Sequence, residues 1–147
     1  MIHFFVEDIA FDSSAIHDTI PWLEHVAEAH AHSIFFINYI FCSDQYLLKI
    51  NREYLDHNYY TDIITFDHRD SSSLPIESDI FISIERVKDN SNDLSVSFHD
   101  ELLRVMVHGL LHLLGYDDHS DTDQKKMRSS ENSYLNIYHS RFQNTAS

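Results

Sequence analysis

The chain carries the stretch HGLLHLLGYDDH at residues 108–119, and this stretch holds both glycines of the 147-residue sequence. His108 and His112 lie four residues apart, so in a helix their side chains share one face. Gly115 follows three residues later, where a glycine in the left-handed conformation commonly ends a helix. The chain can then turn back and bring a side chain from residues 117–119 towards the two histidines. The pattern therefore predicts a metal site with three protein ligands.

The two histidines belong to a segment, Ser97–Leu114, that is apolar on almost every side. A helix of this kind is buried in the middle of a domain. Its polar side chains fall within an arc of roughly 80°, and they are Glu101, Arg104, His108 and His112. Scattered polar groups on a buried helix would each need a separate partner, so this narrow stripe predicts a cleft.

The residue types narrow the choice of metal. Two imidazoles with a carboxylate or a third imidazole suit Zn²⁺ and leave a fourth position for water. The single cysteine, Cys42, lies in an apolar run, which excludes iron–sulfur and thiolate zinc sites. Ligand type alone leaves nickel, manganese and iron as alternatives. The two histidines could instead be ordinary core residues, because a lone buried histidine is more often hydrogen-bonded in the core than bound to a metal. The chain has twelve histidines, which raises the chance that two of them fall four residues apart by accident.

The rest of the sequence predicts a single α+β domain over residues 1–147, with the metal site on a buried central helix. We expect a roughly four-stranded mixed sheet packed with about five helices. The predicted strands are Ile2–Glu7, Ser33–Cys42, Thr61–Phe66 and Asp79–Ile84. The predicted helices are Ser13–Ala31, Ser43–Leu55, a short piece near Arg86, Ser97–Leu114 and Ser120–Tyr138, and Asp67–Glu77 is the longest predicted loop.

Charge and hydropathy limit the possible partners. The formal net charge of −14 disfavours nonspecific binding to nucleic acid or to anionic membranes. No apolar run approaches the roughly 18 residues that cross a bilayer, and the first residues lack a secretion signal. We therefore expect a cytoplasmic protein without a membrane partner.

The glycine–histidine stretch resembles the signature of the YbeY family, the bacterial rRNA-maturation endoribonucleases, which reads His-Gly-x-Leu-His-Leu-x-Gly-Tyr-Asp-His. The resemblance extends over about residues 47–138. It includes Asn51, Tyr54, the run TDIITF at 61–66, Asp79-Ile80, Glu101-Leu102, Met127 and Glu131. By this resemblance the chain is identified as a member of the family.

The resemblance implies a single-strand-specific, metal-dependent endoribonuclease that binds one Zn²⁺ ion. It implies a role in rRNA maturation, at the 3′ end of 16S rRNA, and in ribosome quality control. The expected partners are single-stranded RNA or rRNA, and the ribosome or ribosomal proteins.

Two positions depart from the family pattern. The third histidine of the family falls six residues after the second, where this chain has Asp118, with His119 one residue later. We expect His108, His112 and Asp118 as the metal ligands because this set keeps the spacing, while a one-residue bulge would deliver His119 instead.

The second departure is Leu55, which stands where the family has an arginine. If that arginine steadies a phosphate, this chain either uses another cation, for which Arg52 and Arg104 are the candidates, or does without one. The general base is not identified, and proximity in sequence alone offers His119 and Asp117. Asp117 also reads as an ordinary turn residue.

Two other functions fit parts of the sequence. A small zinc-dependent hydrolase or protease would share the His-x-x-x-His spacing, but such proteases carry a glutamate base next to the first histidine. That position is Gly109, which argues against proteolysis. A non-catalytic, ribosome-associated metalloprotein is favoured by the acidity of the chain and by the missing arginine.

Overall fold

The structure is a computed structural model that describes residues 1–144. Over these residues it has four strands and five α-helices. The strands are β1 (Ile2–Val6), β2 (Ile34–Cys42), β3 (Ile63–Asp67) and β4 (Ile76–Ser83). The helices are α1 (Thr19–Ala29), α2 (Asp44–Leu55), α3 (Ile84–Leu94), α4 (Phe98–Leu113) and α5 (Asp121–Ile137). A 3-10 helix at Ser13–Ile16 precedes α1, and a π-helical turn at Tyr138–Phe142 follows α5.

The four strands form one sheet in the order β1-β2-β4-β3. The β1–β2 and β2–β4 pairs are parallel, while β3 runs antiparallel to β4. The prediction of an α+β fold with a four-stranded mixed sheet and five helices is confirmed. Within the described chain no helix is both long and apolar enough to cross a membrane.

The predicted continuous helix Ser13–Ala31 is wrong, because the chain breaks between the 3-10 helix and α1. Asp12 caps the 3-10 helix by accepting a hydrogen bond from the Ser14 amide at 3.0 Å. Pro21 then falls in the first turn of α1, where its missing N–H is tolerated, whereas deeper in a helix it would break the hydrogen-bond ladder. The Asp12 cap and the position of Pro21 therefore outweigh the apolar periodicity that predicts one continuous helix.

The strand predicted at Asp79–Ile84 begins three residues earlier, at Ile76. Ile76 pairs with Ile34 of β2, and the buried Ser78 hydroxyl donates to the Phe66 carbonyl at 2.7 Å. The polar residues at the start of β4, which the sequence predicts as a loop, join the sheet because their hydrogen-bonding groups find partners in β2 and β3. The short helical piece expected near Arg86 is likewise a full helix, α3.

Helix α4 is the centre of the fold, with ten of its sixteen residues buried. It lies against β3 and β4, and Gly109 faces both strands. A Cβ atom at Gly109 would lie 2.9 Å from the Ile63 Cδ1 atom and 3.4 Å from both Ile80 Cδ1 and Thr65 Oγ1. The missing side chain therefore lets the helix carrying the two histidines approach the sheet closely.

Candidate metal centre

A cavity of about 860 Å³ opens between α4, α5 and the start of β3. We call it the α4 cavity. Its charged walls include Asp62, Glu101, Arg104, His108, Asp118 and Glu131. Three of the four residues in the polar stripe of α4 line this cavity, whereas His112 does not.

His108 is held in place by a carboxylate from α5. Its Nδ1 atom lies 2.7 Å from Oε2 of Glu131, whose side chain is only 6% exposed. The other oxygen of Glu131 accepts a hydrogen bond from Arg104 Nη1 at 2.9 Å. Since an ionised carboxylate only accepts hydrogen bonds, the Nδ1 atom of His108 is the donor. The Nε2 atom is therefore left to face the cavity, as in the carboxylate–histidine–metal arrangements of metalloenzymes.

The pKa values of this pair follow from their contact. The hydrogen bond to Glu131 raises the pKa of His108 above its ordinary value, and burial offsets part of that rise. Burial alone would raise the pKa of Glu131, but hydrogen bonds from His108 and Arg104 outweigh it and leave the pKa lowered. Glu131 is therefore a buried anion that accepts one hydrogen bond from His108 and one from Arg104.

His112 is oriented by the turn that follows it. Its Nδ1 atom lies 3.0 Å from the carbonyl oxygen of Tyr116, which can only accept, so Nε2 is again the free nitrogen. The Tyr116 hydroxyl lies 3.1 Å from Nε2 of His30, and Nδ1 of His30 lies 2.9 Å from the Val26 carbonyl oxygen. A chain of hydrogen bonds from α1 thus fixes the turn against which His112 rests.

The turn itself is a Schellman motif. The Tyr116 amide donates to the Leu111 carbonyl at 3.0 Å, and the Gly115 amide donates to the His112 carbonyl at 3.1 Å. Gly115 has φ +103°, a conformation that side chains disfavour. The motif lets the chain reverse at once after α4, so residues 117–119 return alongside the histidine helix.

The two candidates for the third ligand have different surroundings. Asp118 lines the α4 cavity, and its Oδ2 atom lies 3.7 Å from Nε2 of His108. His119 is exposed and lies outside the lining of the cavity. Asp117 is also exposed and outside it. The geometry therefore brings Asp118 to the free nitrogen of His108.

Among residues 1–144, no three histidine, cysteine, aspartate or glutamate side chains are grouped closely enough to form a complete metal site as they stand. His108 and Asp118 come together, whereas His112 stands apart from the cavity. The donor chemistry still fits a zinc ion, because both histidines have Nδ1 bound to an oxygen acceptor and Nε2 free for a metal.

Two further carboxyl groups line the α4 cavity, and sequence reasoning gave neither of them a role. Glu101 is 5% exposed, and its Oε1 atom has no hydrogen-bond partner within residues 1–144. Burial raises the pKa of Glu101 and also that of Asp62. The sequence did place Glu101 in the polar stripe of α4, and this position could have marked it as a residue of the site.

The two candidate phosphate-binding arginines are also separated. Arg104 lines the α4 cavity but is bound to Glu131 and to Oδ1 of Asn132 at 2.8 Å. Arg52 lies outside this cavity and donates to Oδ1 of Asn58.

Known proteins resemble this chain over most of its length. A family model described as Endoribonuclease YbeY matches residues 3–139. A protein named Endoribonuclease YbeY from Cytophaga hutchinsonii is 48% identical over 136 residues, which cover 92% of this chain and 94% of that protein. One of the same name from Flavobacterium psychrophilum is 49% identical over 120 residues, covering 82% and 84%.

The fold also matches a solved structure. The solution structure of TM1509 from Thermotoga maritima superposes with a TM-score of 0.70 at 24% identity, covering 95% of this chain and 91% of that one. This likeness shows the shared fold. The family model and the two relatives establish that the chain belongs to the YbeY family of endoribonucleases, and the prediction of a metal-dependent endoribonuclease is confirmed.

Proposed function

We propose that this member of the YbeY family cleaves single-stranded RNA with one Zn²⁺ ion bound by His108, His112 and Asp118. The observation that carries the proposal is the shared orientation of the two histidines, each with Nδ1 on an oxygen acceptor and Nε2 free. Asp118, 3.7 Å from Nε2 of His108, supplies the carboxylate. When bound, such an ion polarises a phosphoryl oxygen and lowers the pKa of water.

The substrate we propose is rRNA, with action at the 3′ end of 16S rRNA and in ribosome quality control. The ribosome or its proteins would bring the enzyme to this RNA in the cytoplasm. Family membership supports this assignment, and the net charge of −14 favours delivery by a partner over capture of free RNA.

Within the site, the chain's own residues have distinct tasks. Glu131 orients His108, and hydrogen bonds from His108 and Arg104 keep Glu131 ionised. Glu101 is the candidate for proton transfer, because its Oε1 atom lacks a protein partner among residues 1–144 and burial raises its pKa. His119 and Asp117 lie outside the cavity and are weaker candidates for that task.

Packing at Gly109 argues against the protease alternative. A glutamate there would need a Cβ atom only 2.9 Å from Ile63 Cδ1, on the side of α4 that faces the sheet. A general base at this position would therefore point into the core and away from any substrate.

Activity and metal content together test the proposed function. We expect purified protein to cleave single-stranded RNA, and we expect a chelator to stop the reaction. His112→Ala should lower the cleavage rate by more than about 100-fold, beyond the loss typical of partners outside the first coordination shell. Cleavage that persists unchanged in this variant would exclude the metal-nuclease mechanism. Full metal binding without cleavage would favour the non-catalytic alternative.

Elemental analysis of two neighbouring variants tests the third ligand. Asp118→Ala should lose bound zinc, whereas His119→Ala should retain it, because only Asp118 lies near His108. The reverse result would show that a bulge in the turn delivers His119.

A further inference from the structure

Positive charge is scarce in this chain and unevenly placed. The sequence has 10 lysines and arginines against 24 aspartates and glutamates. Three of those ten, Arg104, Lys125 and Arg128, nevertheless line the α4 cavity, which also holds His108. Two of them come from the first half of α5, in the run QKKMR at 124–128. The cations therefore concentrate where an RNA substrate would have to bind.

These three cations differ in how free they are to bind a ligand. Arg104 is occupied by Glu131 and Asn132 at 2.9 and 2.8 Å. Lys125 is exposed, and no hydrogen bond or ion pair joins it to another residue within 1–144. The Arg128 side chain is 58% exposed, and its nearest carboxylate oxygen, on Glu131, is 3.9 Å away. Binding an anion would therefore cost Lys125 and Arg128 mainly their bound water and no close protein contact.

The acidic residues of the α4 cavity oppose phosphate binding less than their number suggests. The charge of Glu131 is balanced by His108 and Arg104. Asp118 faces His108, where the proposed metal would neutralise it. Glu101 lies in the buried wall of the cavity.

Two more acids line the α4 cavity. Asp62 is largely covered, and burial raises its pKa. Asp121, one turn before Lys125, is the exposed acid at the rim. Lys125 and Arg128 therefore lie at the rim beside Asp121, whereas Asp118, whose side chain is 44% exposed, lies next to His108.

Three of the four arginines elsewhere on the chain are poorly placed for the same task, and the fourth, Arg141, lies over the Phe142 ring outside the α4 cavity. Arg86 is paired with Asp44 at 2.7 Å, and the 2%-exposed Arg69 side chain is paired with Asp67 at 2.9 Å. Arg52 lies on α2 outside the α4 cavity. None of the three reaches the lining of the cavity that holds His108.

We infer that Lys125 and Arg128 are the phosphate-binding residues of this enzyme and replace the family arginine whose position is Leu55. The ligand class is the phosphodiester backbone of single-stranded RNA, bound along the α5 rim so that one phosphate enters the cavity at His108. This inference rests on the proposed function. It differs from the sequence-based expectation, which named Arg52 or Arg104.

The salt dependence of binding gives a direct test. The probe is a single-stranded 2′-O-methyl oligonucleotide, and binding is followed by fluorescence anisotropy at several salt concentrations. Gel electrophoresis after each titration checks that the probe is intact. Each phosphate contact on a single strand adds about 0.7 to the slope of log K against log salt. Lys125→Gln and Arg128→Gln should each lower the slope by about 0.7, and the double variant by about 1.4.

Matched variants separate local contacts from overall charge. Lys88→Gln removes one exposed cation from α3, outside the α4 cavity, and should leave the slope unchanged. Arg128→Lys keeps the charge and should retain most of the wild-type slope. An unchanged slope in the double variant, an equal fall in Lys88→Gln, or no binding of the probe by the wild type would overturn the inference.

Two further readouts distinguish this inference from the proposed function. Zinc content and thermal stability of the double variant should equal those of the wild type, since neither side chain is a proposed ligand. If the wild type cleaves RNA and the double variant keeps its salt slope, only the phosphate assignment fails. If the wild type binds with the expected slope but never cleaves, the proposed function fails and the binding site remains.

Discussion

The two faces of the sheet each carry a cavity with a histidine–carboxylate pair, and the pairs differ in their surroundings. The second cavity, about 450 Å³ in volume, lies under α2 and is here called the α2 cavity; its lining includes Tyr46, Tyr54, Phe66, His68, Asp79 and Phe81. His68 lies 2.9 Å from Asp79, much as His108 lies 2.7 Å from Glu131.

Burial and the free nitrogen distinguish the two pairs. The Asp79 side chain is 34% exposed, whereas Glu131 is 6% exposed. The free nitrogen of His108 also faces a second acid, Asp118. A histidine–carboxylate contact is therefore not by itself a metal-site feature. It becomes one where the carboxylate is buried and a further ligand faces the remaining nitrogen.

The largest expected difference between the cavities is the effect of removing each histidine. His108→Ala should lower zinc affinity by more than about 100-fold, because it deletes a ligand and not merely a supporting group. His68→Ala removes the same side chain from the α2 cavity and should leave zinc content unchanged. Competition with a chromogenic chelator measures both. Equal loss in the two variants would mean that the α2 cavity also contributes to metal binding.

A smaller effect is expected from the carboxylates. Glu131→Gln keeps the shape of the side chain but weakens its bond to His108, and we expect about 10- to 100-fold weaker zinc binding. Asp79→Asn is the matched change under α2, and zinc affinity should not respond to it. Retention of full affinity in Glu131→Gln would show that Glu131 has only a structural role.

Packing on the two faces should differ as well. Gly109→Leu forces a side chain into the contact with Ile63 and should destabilise the fold by about 2 kcal/mol. Gly109→Ala should stay within about 1 kcal/mol of the wild type, because the flexible Ile63 Cδ1 atom can move and alanine favours the helix. Tyr54→Trp, at a 69% exposed position in the α2 cavity, should cost little. Urea unfolding measures all three, and a stable Gly109→Leu variant would contradict the close packing of α4.

The smallest expected effect concerns pH. Burial raises the pKa of Glu101, so the folded state holds this proton more tightly than the unfolded state does. Glu101 therefore lowers stability as pH rises from the ordinary glutamate pKa through the raised one. The stability of Glu101→Gln relative to the wild type should increase as the pH rises above the ordinary glutamate pKa of about 4.

Glu53→Gln is the control for that measurement, because Glu53 is an exposed carboxylate lining the α2 cavity. An equal rise in this variant would trace the effect to the loss of a negative charge and not to burial. A level difference for Glu101→Gln would show that water or a cation stabilises the Glu101 carboxylate.

The elements that the sequence predicted well are those set by neighbouring residues. The apolar run around His108 predicted α4 to within a residue at each end. The break before α1 was missed because the apolar periodicity masked the local signals at Asp12 and Pro21. The start of β4 was missed because a distant strand decided it. Ile76 joined β4 because Ile34 of β2 was there to pair with it.

By itself the sequence determined the histidine helix, the glycine turn after it and the family, because helix periodicity and the Schellman turn depend on residues a few positions apart. Only the tertiary structure decided what surrounds the histidines. Glu131 reaches His108 from 23 residues away, and the buried Arg69 donates to the Leu113 carbonyl at the end of α4 from 44 residues away. Such contacts depend on how whole elements pack, and no local spacing encodes them.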